Sequence, residues 1–477
     1  MQGDCLFCRL FGRFYVSRLV AVSNRVADLH DPGQAGGLAV GLGDALKARG
    51  GIWFGWDGET VGQGTHVAPH IQKFDRATTI TLPLTNKDYR EFYAGFANSV
   101  LWPLLHYRLD LVAFEPAFLR GYKRVNSKFA DALFPHLKPK DTIWIHDYHL
   151  IPLAAELRRR GCTQRIGFFL HTPFPPPEVF AAAPESEWLI RSLFSYDLLG
   201  FQTTVDLANF RNYSERYQDA KTDRDGRITA FENDVVARCF PIGIDVEAFT
   251  AMARTPDAEQ QIRTLRQRTL KRQQIIGVDR LDYSKGLPER MQAYRRLLEM
   301  HPENQKSVTL MQIAPPTREE VEAYSDIRTE LETLSGSING QFADFDWTPV
   351  RYIHRAIPRN VLAALFRASR VGFVSPVRDG MNLVAKEYIA AQDDKDPGVL
   401  VLSKFAGAAE DLVEALIVNP FDLDDMAENL QRALKMSLAE RRRRQRALMK
   451  RVRARDAQHW QSSFLEALEG LPGSNAA

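Results

Sequence analysis

Residues 371–392, VGFVSPVRDGMNLVAKEYIAAQ, contain a complete strand, turn and helix. The segment 371–376 is short and mostly apolar and closes on a proline, which cannot continue a central ladder, so it predicts a buried strand. Residues 383–392 have the composition of a helix. The polar turn between them carries Gly380, for which we predict a positive φ. This order of elements is one unit of an alternating α/β fold.

The same turn has the outline of an anion site. The first backbone N–H groups of a helix have no partner inside the helix, and the helix dipole places partial positive charge there, so a phosphate is favoured. Asp379 and Glu387 would repel a phosphate, but both can accept hydrogen bonds from hydroxyl groups. The turn therefore indicates a ligand that is part phosphate and part polyol. An ordinary turn with Asp379 as a helix cap is an equally open reading.

The composition limits the class of protein. A chain of 477 residues predicts two or three domains. Sixty-two basic against 59 acidic residues give a net charge of +3, which favours neither a polyanion nor a membrane surface as partner. No apolar run approaches the roughly 20 residues needed to span a bilayer, and the N-terminus lacks a secretory signal. Four scattered cysteines do not form a disulfide framework and predict a reducing cytoplasm.

The first 16 residues carry Cys5 and Cys8 with two residues between them. A zinc site would need two further ligands nearby, and none follow. We predict a disordered extension, or a start codon assigned too early, and no metal site.

In the first half of the chain, three predicted strands end in polar residues. The strand at 19–23 is followed by Arg25, the strand at 142–146 by Asp147, and the strand at 166–170 by His171. Open α/β sheets bind ligands at the carboxyl ends of their strands, so these side chains are candidates for one site. Gly36 and Gly37 precede a helix predicted at about 38–49, but without the spaced GxGxxG fingerprint, which gives no support for nicotinamide binding.

The pattern restarts in the second half. A strand at 274–278 leads into a turn with Arg280 and Lys285, both able to reach a diphosphate, although solvated charges on a surface turn are equally open. Strands alternate with helices in both halves, which predicts two doubly wound α/β domains facing each other across a cleft. We place the first domain at 17–246, the second at 247–445, and a C-terminal helix that returns to the first domain at 446–477.

A basic run near the end holds nine Lys or Arg residues within 441–455. No aromatic interleaving or known nucleic-acid module accompanies it, so we interpret it as the solvated face of a long helix. The pairs His459-Trp460 and Phe464-Leu465 are predicted to form the apolar face that docks this helix. We expect no nucleic-acid partner.

Seven blocks, in order over residues 18 to about 462, resemble glycosyltransferase family 20, the trehalose-6-phosphate synthase family. They are SNR with the later glycine pair, WFGW, LWPLLHYR, IHDYHL, FFLHTPFP, VDRLDYSKG and RDGMNLVAKE. The resemblance implies the GT-B fold, two Rossmann-like doubly wound domains facing across a cleft. It also implies a retaining transfer of glucose from UDP-glucose to glucose 6-phosphate, without a metal or cofactor, by a homo-oligomer, a dimer or tetramer, in the cytoplasm.

The resemblance also assigns roles to residues. For the acceptor it implies contacts of the phosphate with Arg25, Tyr93 and Arg318, and contacts of the sugar with Trp102 and Asp147. The catalytic set that it implies is His171, Arg280, Lys285 and Asp379. The donor-binding set that it implies is Gly36, Gly37, Arg280, Lys285, Ile357, Asp379, Leu383, Val384, Ala385, Lys386 and Glu387.

Three other functions stay open at this stage. A related synthase could use ADP-glucose as donor, or another acceptor such as glycerol 3-phosphate, and the base preference depends on loop contacts that the sequence hides. A catalytically silent sensor of sugar phosphates is a further alternative, although such proteins usually lose charged site residues, which this chain retains.

Overall fold

The computed structural model describes residues 17–27, 42–43, 46, 49–65, 67–268, 272–317 and 322–471. The 16-residue extension and most of the helix predicted at about 38–49 lie outside these residues. The described chain forms two sheets. The strands of the first are β1 (Leu19–Arg25), β2 (Gly51–Val61), β3 (His70–Phe74), β4 (Ala77–Thr85), β5 (Thr142–His146), β6 (Arg165–Phe169), β7 (Leu198–Phe201), β8 (Lys221–Thr222), β9 (Arg227–Ala230) and β10 (Asn233–Cys239). The strands of the second are β11 (Gln273–Val278), β12 (Val308–Ile313), β13 (Val350–Ile353), β14 (Val371–Val374), β15 (Val399–Ser403) and β16 (Leu416–Val418).

The first sheet has the order β3-β4-β2-β1-β5-β6-β7-β10-β9-β8. Its central strands, from β4 to β10, are parallel. The edge strands β3, β8 and β9 run antiparallel to their neighbours. Strands β1 and β5 are buried from Leu19 to Ser23 and from Thr142 to His146, because helices cover both faces of a parallel sheet.

The second sheet is wholly parallel, with the order β13-β12-β11-β14-β15-β16. Counted from its first strand, this is the order 3-2-1-4-5-6 of dinucleotide-binding folds. The strand order reverses between β11 and β14, and ligands bind at such a switch point. The two predicted phosphate turns, after β11 and after β14, therefore lie side by side.

Helices cover the faces of both sheets. A continuous helix α1 consists of Asn86–Asp88, a π-helical segment Tyr89–Leu101, and Trp102–Leu105. Within it, the N–H of Trp102 bonds the carbonyl of Ala97, five residues back. The other helices are α2 (Pro116–Leu133), α3 (Leu153–Arg159), α4 (Pro177–Ala181), α5 (Ser186–Leu193), α6 (Thr204–Gln218), α7 (Val246–Met252), α8 (Pro256–Arg268), α9 (Leu287–Met300), α10 (Glu322–Phe342), α11 (Arg359–Ala368), α12 (Leu383–Ala391), α13 (Leu423–Lys435), α14 (Leu438–Ala454) and α15 (Ala457–Glu469).

The C-terminal helix that returns to the first sheet is α15. Phe464 is fully buried and stacks on Trp144 of β5 with ring centroids 4.7 Å apart. Trp460 lies 4.9 Å from the same ring, whereas His459 is exposed. The preceding helix α14 packs against α12 and β15 of the second sheet. The chain therefore passes from the second sheet to the first between α14 and α15, whereas the sequence predicted a returning helix that begins at 446. The predicted domain boundaries stay predictions.

The basic run forms most of α14 and is only partly a solvated face. Arg441 is buried and donates to Asp396 at 2.6 Å, while Arg451 donates to Glu414 at 2.8 Å. Asp396 and Glu414 lie in the turns before β15 and β16 of the second sheet, and they neutralise part of the positive charge of the basic run.

In the residues that the structure describes, no helix is both long and apolar enough to cross a membrane.

Candidate active site

Residues from both sheets meet at one cleft. The Arg280 guanidinium, after β11, lies 5.8 Å from the ring centroid of Trp102 in α1. After β14, a Cβ atom at Gly380 would lie 2.1 Å from the carbonyl oxygen of His171, which follows β6. The two turns at the switch point of the second sheet therefore contact the carboxyl-end side of the first sheet, as the sequence predicted for the site.

The turn between β14 and α12 departs from the prediction at Gly380. Its φ is not positive; the positive φ, 73°, belongs to Asn382. A short amide side chain tolerates this region, and that of Asn382 caps α12 by accepting from the N–H of Ala385 at 3.3 Å. Gly380 is required for a different reason, because any side chain there would collide with the backbone of His171. The prediction of a positive φ at Gly380 was therefore wrong.

The cap leaves the first amides of α12 for a ligand. Leu383 and Val384 are the first two residues of the helix, so no carbonyl within the helix can accept from their N–H groups. Beside them, Lys285 Nζ lies 2.6 Å from Asp379 Oδ2, and both side chains are largely buried. Amides, ammonium and carboxylate together can bind a phosphate on one side and sugar hydroxyls on the other.

A buried ionic network supports this turn from behind. Arg290 of α9 is fully buried and donates to Asp279 at 2.7 Å, to Gln312 at 3.1 Å and to Ser375 at 3.0 Å. Burial raises the pKa of Asp279, and the nearby Arg290 opposes that rise. Asn382 joins the network by donating to Asp279 at 3.2 Å. The network joins the ends of β11 and β14. Removing the charged partner of Arg290 would destabilise this arrangement, because it would leave a buried charge unpaired.

The opposite wall of the cleft is basic and aromatic. The Arg25 guanidinium is exposed, has no ion pair among the described residues, and lies 5.9 Å from the ring centroid of Trp56. Gly58 lies against this guanidinium, where a Cβ atom would come within 2.6 Å of it. Tyr93 packs 5.4 Å from Trp56 and stacks at 5.8 Å on His149. A cation beside an aromatic cluster in which Tyr93 is partly exposed suits a phosphorylated sugar, whose C–H face packs on an aromatic ring.

Asp147 and His171, which follow neighbouring strands, are joined directly. The N–H of His171 donates to Asp147 Oδ1 at 3.2 Å. Asp147 has a φ of 76°, a strained value for a residue other than glycine and one that is often found at functional sites. Burial lowers the pKa of His171 to about 3, so its ring is neutral near pH 7. A neutral imidazole can position a hydroxyl group through a hydrogen bond, but it carries no positive charge with which to stabilise an anion.

The remaining residues predicted for the donor site differ in their burial and in the partners of their side chains. Glu387 pairs with Arg359 at 3.2 Å, and burial raises its pKa. Ile357 is half-buried in the loop before α11. The Lys386 ammonium points away from the cleft and donates to the carbonyl of Ile242 at 2.6 Å. Its predicted role in the donor site stays a prediction, and the ammonium, which is buried against Ile242, is not the group that would fill it.

Gly36, Gly37 and Arg318 lie outside the described residues, and their predicted roles stay predictions. In the part of the chain that is described, no group of three or more His, Cys, Asp or Glu side chains could hold a metal ion.

Comparison with known proteins identifies the family. The chain matches Glycosyltransferase family 20 over residues 22–470. It is 50% identical over 457 residues to the trehalose-6-phosphate synthase of Cronobacter sakazakii, and the match covers 95% of each chain. The chain belongs to glycosyltransferase family 20. The predicted family is thereby confirmed.

Solved structures agree with this membership of family 20. The UDP-forming α,α-trehalose-phosphate synthase of Burkholderia xenovorans in complex with glucose-6-phosphate has a TM-score of 0.92 at 49% identity, covering 95% of this chain and 100% of that one. An E. coli structure bound with UDP-2-fluoro glucose has a TM-score of 0.92 at 47% identity, covering 96% of this chain and 100% of that one. The predicted GT-B fold, two Rossmann-like domains across a cleft, is confirmed.

The sequence did not predict several groups of this family-20 site. Arg290 could have been noticed, because it occupies a core position of α9 between the apolar Leu287 and Met291. The ring contact between Trp56 and Arg25, and the network role of Asn382, carry no such signal in the sequence. They depend on which loops the two sheets bring together.

Proposed function

We propose that this protein transfers glucose from UDP-glucose to glucose 6-phosphate with retention, giving α,α-trehalose 6-phosphate and UDP. The observation that carries the proposal is the match to trehalose-6-phosphate synthases over nearly the whole length of both chains. The cleft supports it, because it combines Arg280 and Lys285, helix amides that no carbonyl within the helix can accept from, and an aromatic wall beside Arg25, which has no ion pair among the described residues.

On the donor side, we assign the diphosphate to Arg280, Lys285 and the first amides of α12. Breaking the bond between the glucose C1 and the diphosphate oxygen places negative charge on that oxygen. Fixed donors aimed at the developing charge lower the barrier, since they bind the transition state more strongly than the ground state. Asp379 and His171 would bond the glucose hydroxyls, and Glu387 would accept from the ribose hydroxyls.

On the acceptor side, we assign the phosphate to Arg25, with Tyr93 beside it and Arg318 as a further expected partner. Trp102 and Asp147 would hold the sugar ring. This wall contacts the donor wall through Arg280 and Trp102, which lie 5.8 Å apart from guanidinium to ring centroid. The acceptor hydroxyl can thereby lie on the face of the donor that carries the leaving group.

Retention follows from that same-face arrangement. Retaining glycosidases use a carboxylate nucleophile. Here Asp379 and Asp147 both accept hydrogen bonds already, Asp379 from Lys285 and Asn382, and Asp147 from the N–H of His171. In the proposed path the C1–O bond to the diphosphate breaks, and the acceptor hydroxyl oxygen bonds C1 on the same face. The hydroxyl proton passes to the leaving phosphate oxygen.

A coupled assay of nucleotide release tests the function. UDP-glucose, ADP-glucose and GDP-glucose are each supplied with glucose 6-phosphate, with glycerol 3-phosphate, or with no acceptor. We expect UDP release that depends strictly on glucose 6-phosphate. Release from another pair would identify a different synthase, and saturable binding without release from any pair would identify a sensor.

Gly380→Ala should reduce kcat by about 100-fold, the scale expected when a catalytic group is misplaced by about 1 Å. The added methyl group would collide with the His171 backbone and push the Asp379 turn out of place. Steady-state kinetics measure the loss. Gly336→Ala in α10 is the matched control, because a Cβ atom there meets nothing within 4 Å, and it should retain full activity. Equal kcat values for both variants would contradict the close approach.

We also propose that the protein works in the cytoplasm as a homo-oligomer. The cytoplasm is supported by the few, scattered cysteines, of which Cys162 and Cys239 are free thiols. The dimer or tetramer rests on the family resemblance alone, and light scattering after size exclusion would check it.

A further inference from the structure

His146, the last residue of β5, is a fully buried histidine to which the proposed reaction gives no role. Its Nδ1 lies 3.2 Å from Nε2 of His171, so the two rings share one hydrogen bond. Among the described residues, Nε2 of His146 has no hydrogen-bond partner. Burial, and the neighbouring His171, lower the pKa of His146 well below its usual value, so this ring also carries a single proton.

The surroundings of His146 indicate where that proton resides. The rings of Trp144 and Trp460 lie 4.5 Å and 6.2 Å from it, and an indole offers only an N–H donor. Neither indole N–H has an acceptor among the residues described. A proton on His146 Nε2 would add a third buried N–H without an acceptor, and such orphaned N–H groups are rarer than unsatisfied acceptors. The proton is therefore favoured on Nδ1, where it can be donated to His171.

We propose that His146 is a positioning residue that fixes the tautomer of His171. If His146 Nδ1 donates, His171 Nε2 must accept, and the single proton of His171 must lie on its own Nδ1. Because Nε2 is taken by the bond to His146, Nδ1 is the nitrogen of this partly exposed side chain that is left for a ligand. The catalytic cleft would then present a neutral N–H donor of fixed orientation, suited to a hydroxyl oxygen of the donor sugar. This role rests on the proposed function, but the tautomer itself does not.

Trp460 extends the arrangement to the C-terminal helix. Its ring meets the His171 ring edge-on at 5.9 Å. The wall behind the two histidines is therefore supplied partly by α15, which returns from the second domain. The position of the His171 ring depends on the docking of that helix as well as on β5 and β6.

Two variants of nearly equal shape test the proposal. His146→Asn keeps an N–H donor near the Nδ1 position, whereas His146→Leu has a similar volume and no donor. Two-bond ¹H–¹⁵N correlation spectra of the full-length protein, labelled in histidine and assigned with His171→Gln, report which ring nitrogen carries the proton. We expect protonated Nδ1 on His171 in the wild type and in His146→Asn, and a shift toward protonated Nε2 in His146→Leu.

Kinetics supply the second readout. His146→Leu should lose about 10- to 100-fold in kcat/KM for UDP-glucose, the scale seen when the orienting partner of a functional histidine is removed. His146→Asn should stay close to the wild type, and the KM for glucose 6-phosphate should not change in either variant. A merely structural role would affect both variants and both substrates alike.

The outcomes separate the tautomer from the function. Protonated Nε2 on His171 in the wild-type spectrum would overturn the proposal, and that spectrum needs no variant to fold. Identical His171 spectra for His146→Asn and His146→Leu would also overturn it. Absence of synthase turnover in the wild type would instead count against the proposed function, with the spectra still deciding the tautomer.

Discussion

Arg280→Ala should lower kcat by about 100- to 1,000-fold, the cost of removing one fixed donor to a developing negative charge. The Arg280 side chain is exposed, so its truncation should leave the fold intact. Its contact with the Trp102 ring places it between the two walls of the cleft, where it can reach the diphosphate as the bond to C1 breaks. Steady-state kinetics with UDP-glucose and glucose 6-phosphate measure the effect.

Arg25→Ala is the matched comparison, since it removes another exposed guanidinium, this one from the acceptor wall. It should mainly raise the KM for glucose 6-phosphate, by about 10- to 100-fold, the value of a charge-assisted hydrogen bond present in both ground and transition states. Its kcat should change little. Equal effects of the two substitutions on kcat and on this KM would refute the assignment of one arginine to each substrate.

Phe464→Ala should lower the free energy of unfolding by about 3–5 kcal/mol, as expected when a large buried aromatic side chain is truncated. Phe464 joins α15 to the first sheet, where it stacks on Trp144 and lies 5.9 Å from Phe169 and 5.1 Å from Phe240 between ring centroids. The surrounding rings belong to different elements and cannot all close on the space left behind. Urea unfolding followed by fluorescence measures the loss.

Glu466→Ala on the same helix is the control. Glu466 is exposed, so its truncation should change the free energy of unfolding by no more than about 0.5 kcal/mol. Similar stabilities for the two variants would mean that α15 contributes little to the first sheet. The docking of the returning helix would then need another explanation.

Four of the site residues that the sequence predicted share one property. Arg280, Asp379, Asp147 and His171 each follow a short apolar strand, and parallel strands deliver such residues to one edge of a sheet. Local pattern is therefore enough to propose them. The structure brings these four to one cleft, although the role of each stays a prediction.

The features that local pattern could not supply arise from contacts between distant segments. Gly380 is constrained by the His171 backbone of the other domain, and the Lys386 ammonium donates to the carbonyl of Ile242, which follows β10. Strand-to-helix pattern placed Gly380 in the donor turn without regard to this contact and therefore predicted a positive φ for it. The resemblance that placed Lys386 in the donor-binding set likewise carried no information on where its ammonium lies.

The sequence by itself determined the alternating strands and helices, the two doubly wound domains and the family, because these depend on hydrophobic periodicity and on motifs that are contiguous in the chain. Only the tertiary structure decided the partners of each polar group: Lys285 with Asp379, Arg290 with Asp279, and His146 with His171. Each of these pairs joins separate elements. The charge, tautomer and orientation of a buried group depend on what lies within about 4–6 Å of it, and that neighbourhood exists only once the two sheets have packed.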